Sequence, residues 1–215
     1  MKKAVVFAGS RGIGKGIADN LREQGYCVDA LSSKDVDTSD INSVNSFLDF
    51  SESYDVVVLN TGGPPAMEFK NISKEDCDKY HNQLFYSFLL LLQKMKINDN
   101  AYVFLISSYN VKEPDPKLIL SNAYRLAFIS VFKCLSKLFA ERGISMINIA
   151  PGPVDTDRLR SLASDYDALA KRIPIGHIST PAELGRFVGS IVEKEIKYLT
   201  GVTINFDGGK SNYVL

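Results

Sequence analysis

The chain has 215 residues, enough for one α/β domain with a substantial core. Lysine plus arginine and aspartate plus glutamate each number 25, so the formal charge is zero, which argues against a nucleic acid as the main partner. The apolar run Phe88 to Gln93 is too short to span a bilayer, and the chain opens on a strand rather than a signal peptide, so we expect a soluble cytoplasmic protein without a membrane partner. We expect no metal site, because metal-ligand spacing does not link the widely separated cysteines Cys27, Cys77 and Cys134.

Strand-like apolar segments alternate with helical segments along the chain. Strands are predicted at 4–7, 26–32, 55–60, 101–107, 144–150 and 201–206. Helices are predicted at 17–25 and at about 40–51, 74–97, 118–142 and 181–194. Several strands are continuous apolar runs, as expected when both faces of a sheet are covered. The alternation predicts an α/β fold: a single Rossmann-type domain over 1–215, with a doubly wound parallel sheet, helices on both faces and ligands bound beyond the carboxyl ends of the strands.

A glycine-rich turn, AGSRGIGKG (Ala8 to Gly16), lies between the first strand and the first helix. The P-loop pattern needs Ser or Thr at position 16 to bind Mg²⁺, but Gly16 stands there. The common dinucleotide pattern G-x-G-x-x-G fails because position 17 is isoleucine. A third pattern, T-G-x-x-x-G-x-G, is matched at Gly12 and Gly14 but not at its leading Thr-Gly. The turn alone therefore leaves three possibilities open: a triphosphate, a dinucleotide or no ligand.

Polar and glycine-rich motifs follow the later strands. They are NTGGPP at 60–65, SS at 107–108, Asn148 followed by PG at 151–152, and TGVTINFDGG at 200–209. In order and spacing this set resembles the short-chain dehydrogenase/reductase family across nearly the whole chain. Within that family it is most similar to relatives of β-ketoacyl-acyl-carrier-protein reductases that carry NTGGPP, VKEP and SNA. The resemblance implies that the glycine turn binds the pyrophosphate of a dinucleotide.

The sequence departs from the family pattern in two structural respects. Only about four residues separate the second strand from DTSD (37–40), so the fold is expected to lack one helix that family members have between the second and third strands. Ala8 replaces a glycine of the family pattern, which is acceptable if its φ is negative, because only a positive φ penalises a β-carbon.

The catalytic positions are also unusual. The family has a tyrosine acid–base and a lysine four residues apart on one helix, where this chain has Ser121 and Arg125. Ser108 matches the family serine that hydrogen-bonds the substrate carbonyl. A serine hydroxyl is a far weaker acid than a phenol, and arginine does not deprotonate as lysine can. Tyr109 and Tyr124 are the candidate replacement acids.

Cofactor preference is predicted from the end of the second strand. That strand ends LSSK, without the acidic residue that would bind a ribose 2′-hydroxyl, so NADP is expected, with NAD possible. Arg11 and Lys34 are candidates for the 2′-phosphate, with Ser32 and Ser33 adding hydroxyl hydrogen bonds. The resemblance implies a cofactor-binding set of Gly9, Ser10, Arg11, Gly12, Ile13, Gly14, Ser32, Ser33, Lys34, Asp37, Thr38, Asn60, Gly62, Gly63, Arg125, Pro151, Gly152, Val154 and Thr156.

Three remaining features are interpreted by resemblance. Gln83 or Asn82 lies near the place of a helix asparagine of the family, and 155–174 resembles its substrate lid, whereas His177 is interpreted as structural. Family members commonly associate through their long helices, so a homodimer or homotetramer is expected. The candidate contacts on the later helix are Phe128, Phe132 and Leu135, which burial in the core explains equally well.

Two functions remain open from the sequence. The first is an NADP-preferring oxidoreductase that reduces a carbonyl or oxidises an alcohol, with Ser108, Ser121 and Arg125 as its catalytic set. The alternative is a non-catalytic dinucleotide-binding protein, such as a redox sensor or a partner subunit. A third class, an ATP- or GTP-hydrolysing switch, is disfavoured by Gly16.

Overall fold

The computed structural model describes residues 1–162 and 165–213. Six parallel strands form one sheet in the order β2-β1-β3-β4-β5-β6, which confirms the predicted Rossmann-type architecture. The strands are β1 Lys3–Val6, β2 Cys27–Ala30, β3 Tyr54–Leu59, β4 Ile97–Ile106, β5 Ser145–Pro151 and β6 Val202–Phe206.

Helices connect the strands and cover both faces of the sheet. They are α1 Gly12–Glu23, α2 Ile41–Phe50, α3 Lys74–His81, α4 Ser87–Lys94, α5 Ile119–Phe139, α6 Asp157–Leu162, α7 Tyr166–Lys171 and α8 Pro181–Glu193. The helix predicted at 74–97 is interrupted by a π-helical turn, Asn82–Tyr86, and β4 begins four residues before the predicted strand. In the part of the chain that the structure describes, no helix combines the length and apolar character needed to cross a bilayer.

The continuous apolar strands are explained by two buried layers. Successive side chains of a strand point to opposite faces. On one face Val5 and Val57 pack with apolar residues of α2, α4 and α5, and on the other Val6 and Val58 pack with those of α1 and α8. An alternating polar pattern would expose one of these layers, so both faces of β1 and β3 have to be apolar.

Two glycines bring α1 and α8 into close contact. A Cβ atom on Gly16 would overlap the carbonyl oxygen of Pro181, and one on Gly185 would overlap the carbonyl oxygen of Gly16. Position 16 therefore has no room for the Ser or Thr that a P-loop needs to bind Mg²⁺. The close packing of α1 against α8 thus explains why position 16 is glycine, the residue that disfavours a triphosphate site in the sequence.

The edge of the sheet at β2 is short. Between β2 and β3 the chain forms the single helix α2, and β2 is the outer strand. In the common Rossmann order 3-2-1-4-5-6 a further strand lies outside the second. The loss of one helix here relative to other family members stays a prediction. The strand order reverses between β1 and β3, and this position is where such sheets bind their ligands.

Ala8 does not meet the condition set from the sequence. Its φ is +46°, in the left-handed region that disfavours a β-carbon. The backbone turns sharply here because the next residue, Gly9, donates its N–H to the carbonyl of Leu31 at 2.7 Å. A Cβ on Gly9 would lie 2.6 Å from the carbonyl oxygen of Val6. The condition of a negative φ is therefore not met, and Ala8 carries backbone strain.

For the helix contacts suggested for association, the structure supports the other interpretation, burial in the core of this chain. Phe128 and Phe132 are only 1% and 2% exposed and belong to the core under α5, and Leu135 packs against the same core. The apolar side chains that α5 exposes are Leu126 at 52% and Leu138 at 64%. The spacing of the phenylalanines reflects packing within this chain.

Candidate active site

A cavity of about 600 Å³ opens at the carboxyl ends of β3, β4 and β5. Its wall also includes α5 and the segment that carries α6 and α7. The predicted site residues that line it are Ile13, Asn60, Gly63, Ser108, Ser121, Arg125, Pro151, Gly152, Val154 and Thr156.

The other predicted cofactor residues lie outside the cavity wall, in loops at the same edge of the sheet or, for Gly12 and Gly14, in the first turn of α1. They follow β1, β2 or β3, and these loops are tied together by two hydrogen-bonded contacts. The hydroxyls of Thr38 and Thr61 lie 2.9 Å apart, and the Asn60 Nδ2 donates to the Ala8 carbonyl at 3.4 Å. This outer group comprises Gly9, Ser10, Arg11, Gly12, Gly14, Ser32, Ser33, Lys34, Asp37, Thr38 and Gly62.

The start of α1 forms a site suited to an anion. The helix begins at Gly12, and the side chain of Arg11 at the N-cap makes no capping hydrogen bond. The first N–H groups of a helix have no partner within it, and the helix dipole favours negative charge at this end. Gly12 has a φ of +54°, and a Cβ there would lie 3.2 Å from Cγ2 of Thr156. A Cβ on Gly14 would overlap the Ala8 carbonyl oxygen, so both positions require glycine.

The loop after β2 contains a carboxylate that the sequence interpretation passed over. Asp35 accepts from the backbone N–H of Ser32 at 2.8 Å and from its hydroxyl at 2.7 Å. These two hydrogen bonds hold the pKa of Asp35 below its usual value. The Ser32 hydroxyl, expected to donate to a 2′-phosphate, therefore has an acceptor in its own loop. Arg11 and Lys34 are exposed, and neither forms an ion pair with another described residue.

The next part of this loop is held by its own side chains. Asp37 accepts from the backbone N–H of Ser39 at 2.9 Å and from its hydroxyl at 2.8 Å. Thr38 is buried, and its carbonyl accepts from the Ser87 hydroxyl at 2.7 Å. These contacts hold the turn before α2, and none of them involves the first residues of α1.

The three predicted catalytic residues line the same cavity. Ser108 follows β4, and its hydroxyl oxygen accepts from the backbone N–H of Asn110 at 3.2 Å. Ser121 and Arg125 lie one turn apart on α5, so their side chains share a face of the helix. Of these three residues Ser121 is buried, whereas Ser108 and Arg125 are partly buried.

Arg125 joins α5 to the ends of two strands. Its Nε donates to the Ser121 hydroxyl at 3.3 Å, and its Nη1 donates to the Ile106 carbonyl at 2.9 Å. A longer contact, 3.4 Å, runs from its Nη2 to the carbonyl of Thr61. Three of the five N–H groups of the guanidinium thus donate to protein acceptors, and the other two have no acceptor among the described residues.

A second arginine, Arg158 of α6, reaches the same place. Its Nη1 donates to the Gly63 carbonyl at 2.9 Å, and its Nη2 donates to the Pro64 carbonyl at 2.6 Å. Burial, followed by the positive charge of Arg158, lowers the pKa of Arg125 to about 10. The sequence interpretation missed Arg158, because nothing in DTDRLR indicates contact with a loop more than ninety residues earlier.

The two candidate replacement acids are separated by the fold. Tyr109 lines the cavity, and burial, with smaller contributions from Asp115 and Glu113, raises the pKa of its phenol. Tyr124 is not among the residues that line the cavity. Its ring packs against His81 with centroids 5.6 Å apart. Of the two, only Tyr109 borders the space where a substrate would bind.

Of the two amide side chains considered from the sequence, Asn82 and Gln83, the one that contacts the loop after β3 is Gln83. It lies in the π-helical turn, and its Nε2 donates to the Gly62 carbonyl at 2.9 Å and to the Thr61 hydroxyl at 3.2 Å. Single π-helical turns within helices are frequently found at functional sites. The π-helical turn therefore places the Gln83 side chain against the loop after β3.

His177 lies apart from these residues. It lines a second, smaller cavity of about 310 Å³, together with Glu183 and Asp207. Within 1–162 and 165–213, no group of three or more His, Cys, Asp or Glu side chains has an arrangement that could hold a metal ion. The structural interpretation of His177 stays a prediction.

Comparison with known proteins identifies the family. The sequence profile of a family described as enoyl-(acyl carrier protein) reductase matches residues 35–211. The 3-oxoacyl-[acyl-carrier-protein] reductase FabG of Chlamydia muridarum is 28% identical over 239 aligned positions, which cover 97% of this chain and 96% of that protein.

Solved structures share the fold over almost the whole chain. YwfH, described as an NADPH-dependent reductase involved in bacilysin biosynthesis, has a TM-score of 0.88 at 21% identity and covers 99% of both chains. The angucycline C-6 ketoreductase LanV, solved with bound NADP, has a TM-score of 0.86 at 20% identity and covers 97% of this chain and 95% of its own. Together with the family profile, these likenesses show that the chain belongs to the short-chain dehydrogenase/reductase family.

Proposed function

We propose that the protein is an NADP-preferring oxidoreductase that reduces a carbonyl group or oxidises an alcohol. The observation that carries this proposal is that Ser108, Ser121 and Arg125 line one cavity beside the uncapped start of α1. That arrangement joins hydroxyl donors, a cation and an anion site at the edge of the sheet where such folds bind ligands.

The residues of the glycine turn fit a dinucleotide. The first N–H groups of α1 would hold the pyrophosphate, and the left-handed Gly12 keeps side-chain atoms away from it. Arg11 and Lys34 are exposed cations that would bind a 2′-phosphate. The bound cofactor would supply or accept the hydride. Relatives described as NADPH-dependent or as holding NADP support the same preference.

The hydroxyl groups of Ser108 and Ser121 are suited to bind a substrate oxygen. Each oxygen already accepts one hydrogen bond, from the Asn110 N–H and from Arg125 Nε respectively. A serine hydroxyl has one proton to donate, so both O–H groups can be directed into the cavity. Arg125 has N–H groups left for the hydroxyls of the nicotinamide ribose. Ser121 would pass a proton from water to the substrate rather than act as the acid itself.

The absence of a tyrosine at position 121 limits the rate. A positioned general acid contributes about 10²–10⁴ to the rate of such reactions. We therefore propose a slow reductase, slower by roughly that factor than a relative with the tyrosine.

The alternative function is that of a non-catalytic dinucleotide-binding protein. It is favoured by two observations: three donors of Arg125 are directed to protein acceptors, and the one tyrosine bordering the cavity, Tyr109, has a raised pKa. A protein that senses the cofactor, or supports an active relative, would need the glycine turn but no acid.

Turnover and binding measured together distinguish the two functions. Purified protein is assayed with NADPH and a panel of ketones while NADPH binding is titrated separately. Ser108→Ala and Ser121→Ala should each lower turnover at least tenfold. The affinity of each variant for NADPH should stay within about threefold of the parent's. Ser136→Ala is the matched control, because this buried serine of α5 bonds only to the Lys133 carbonyl and is not part of the cavity wall. Binding of NADPH without any turnover would favour the alternative.

We further propose that residues 1–215 form one NAD(P)-binding domain that works in the cytoplasm as a homodimer or homotetramer. The exposed Leu126 and Leu138 on α5 support association, because they lie on one of the long helices through which family members commonly pair. A monomer in sedimentation at micromolar concentration would contradict the association.

A further inference from the structure

We propose that the substrate carries an oxyanion group, a carboxylate or a phosphate, and that Arg158 binds it. The proposal rests on the proposed function and names the chemical class of its substrate. It is carried by the meeting of Arg125 and Arg158 at one cavity, where no carboxylate of residues 1–162 and 165–213 is paired to either.

Both guanidinium groups approach the same residue, Gly63. A Cβ placed on Gly63 would lie 3.2 Å from Nη2 of Arg158 and 3.5 Å from Nη2 of Arg125. Two positive charges this close to one another repel, and a low-dielectric surrounding strengthens the repulsion. The lowered pKa of Arg125 is in keeping with this geometry. An anion bound in the cavity beside both guanidinium groups would offset this repulsion.

No acidic side chain among the described residues forms an ion pair with either arginine. Their protein acceptors are a serine hydroxyl and backbone carbonyls, which orient a guanidinium but carry no net negative charge. Since no neighbouring acid neutralises either charge, both are available to a ligand.

The net positive charge of the cavity wall comes from these two arginines. The other charged residues of the wall balance one another, because Arg172 and Lys210 are cationic and Asp115 and Asp165 are anionic. Both carboxylates already accept from backbone N–H groups of their own turns, at 2.8 Å from Lys117 and at 2.9 Å from Ala168. The cavity is therefore a site where an anion is attracted and a neutral ligand gains nothing from charge.

Arg158 is the better placed of the two for a substrate. Arg125 is fixed by three acceptors and stands at the position that would hold the nicotinamide ribose. Arg158 uses Nη1 and Nη2 once each, so three of its five N–H groups remain for a planar oxyanion. It is exposed overall, and it lies in the segment 155–174 that resembles the family's substrate lid. The 2′-phosphate is assigned to Arg11 and Lys34 and the pyrophosphate to the start of α1.

Binding of matched probes tests the proposal without requiring turnover. The protein is saturated with NADP⁺ and titrated with 4-phenylbutanoate, 4-phenylbutanamide and phenyl phosphate by calorimetry. The acid and the amide have nearly the same shape, so they differ chiefly in charge. We expect at least one of the two anions to bind about 10–100-fold more tightly than the amide, and the tighter of the two identifies the oxyanion.

Variants assign the effect to Arg158. Arg158→Gln should reduce anion affinity about 10-fold or more and leave the affinity for the amide and for NADP⁺ unchanged. Arg158→Lys should keep part of the affinity, because it retains the charge and loses the planar fork. Arg186→Gln is the control, since Arg186 is an exposed arginine of α8 that does not line the cavity. It should behave as the parent protein does.

Several results would overturn the proposal. These are equal affinities for acid and amide, no binding of any probe, an anion affinity that Arg158→Gln leaves unchanged, or a parallel loss of NADP⁺ affinity, which would assign Arg158 to the cofactor. The outcome is separable from that of the proposed function. If neutral ketones are reduced as fast as anionic ones, the proposal of a reductase stands and the proposal of an anion site fails. Tight anion binding without turnover of any oxo acid leaves the anion site and removes the reductase.

Discussion

Arg125 lies one turn after Ser121 on α5, and its Nε donates to the Ser121 hydroxyl at 3.3 Å. The helix therefore places these two side chains next to one another, at the positions where the resemblance implies the family's tyrosine and lysine. In this arrangement the serine accepts from a cation and has its own proton left for a ligand. The cation remains charged at neutral pH, because even its lowered pKa is about 10.

The first prediction concerns the glycine turn. Gly12→Val should abolish NADPH binding, because a branched side chain at a left-handed helix start would occupy the space that a pyrophosphate needs. Gly25→Val is the matched control: its φ is +85°, nothing lies within 4 Å of an added Cβ, and it is at the other end of α1. Both variants should lose roughly 1–3 kcal/mol of unfolding free energy from backbone strain.

NADPH titration and urea unfolding of both variants check this prediction. If Gly12→Val binds NADPH as tightly as Gly25→Val does, the pyrophosphate site has been assigned to the wrong turn.

The second prediction is a cofactor preference. NADPH should bind more tightly than NADH, and Arg11→Ala should reduce the difference by roughly 1–3 kcal/mol, the range for a charge-assisted hydrogen bond. Arg22→Ala is the control, because Arg22 is near the end of α1 and pairs with Asp19. Competition titrations with both cofactors measure the difference. Equal affinities in the parent protein would contradict the assignment.

The third prediction follows from the strain at Ala8. Ala8→Gly should stabilise the protein by about 0.5–1 kcal/mol. Relief of the left-handed alanine gains about 1–2 kcal/mol, and the added freedom of the unfolded chain takes back about 0.4–1 kcal/mol. Ala18→Gly, in the interior of α1, should instead destabilise by about 1 kcal/mol or more. Urea unfolding measures both, and a loss of stability in Ala8→Gly would show that the turn is not strained at this residue.

How far the sequence leads is seen in particular residues. The strands were predictable because apolar runs are local properties of the chain. The pair Ser121 and Arg125 came from the resemblance to the family, and helical spacing then predicted that the two side chains share a face. The hydrogen bond from the Ser32 hydroxyl to Asp35 was not predictable, since it depends on the shape of a turn that the order of residues does not reveal. The burial of Phe128 likewise depends on which elements meet α5. Arg158 contacts a loop distant in the sequence, and one sequence carries no signal for such a contact.

The fourth prediction tests Tyr109 as the acid. Burial, with nearby carboxylates, raises the pKa of its phenol above 10, so it keeps its proton throughout the neutral and mildly alkaline range and gives it up less readily. Tyr109→Phe should therefore change the rate of ketone reduction by less than about threefold, well below the 10²–10⁴ of a general acid. The parent's rate should also show no fall between neutral pH and pH 9 from ionisation of this phenol. A hundredfold loss in Tyr109→Phe would identify it as the acid after all.

The last prediction concerns the missing tyrosine. Ser121→Tyr with Arg125→Lys restores the family pair, and the rate of carbonyl reduction should rise, by as much as about 10²–10⁴. Ser121 lines the cavity, so a larger side chain can extend into it, and a lysine one turn away would lower the pKa of the new phenol. Arg125→Lys alone should not increase the rate, because lysine has no planar fork to reach the carbonyls of both Ile106 and Thr61.

Ser121→Phe with Arg125→Lys is the control for bulk, since it fills the same space without a hydroxyl. Steady-state rates with NADPH and a panel of ketones, together with NADPH titrations, compare four proteins: the parent, Arg125→Lys and the two double variants. A gain in the tyrosine variant alone means that the chain lost an acid and kept the site around it. A loss in both double variants means that Ser121 has become part of a different proton path, in which its contact with Arg125 is required. If all four bind NADPH and none reduces a ketone, the dinucleotide site serves a role other than catalysis.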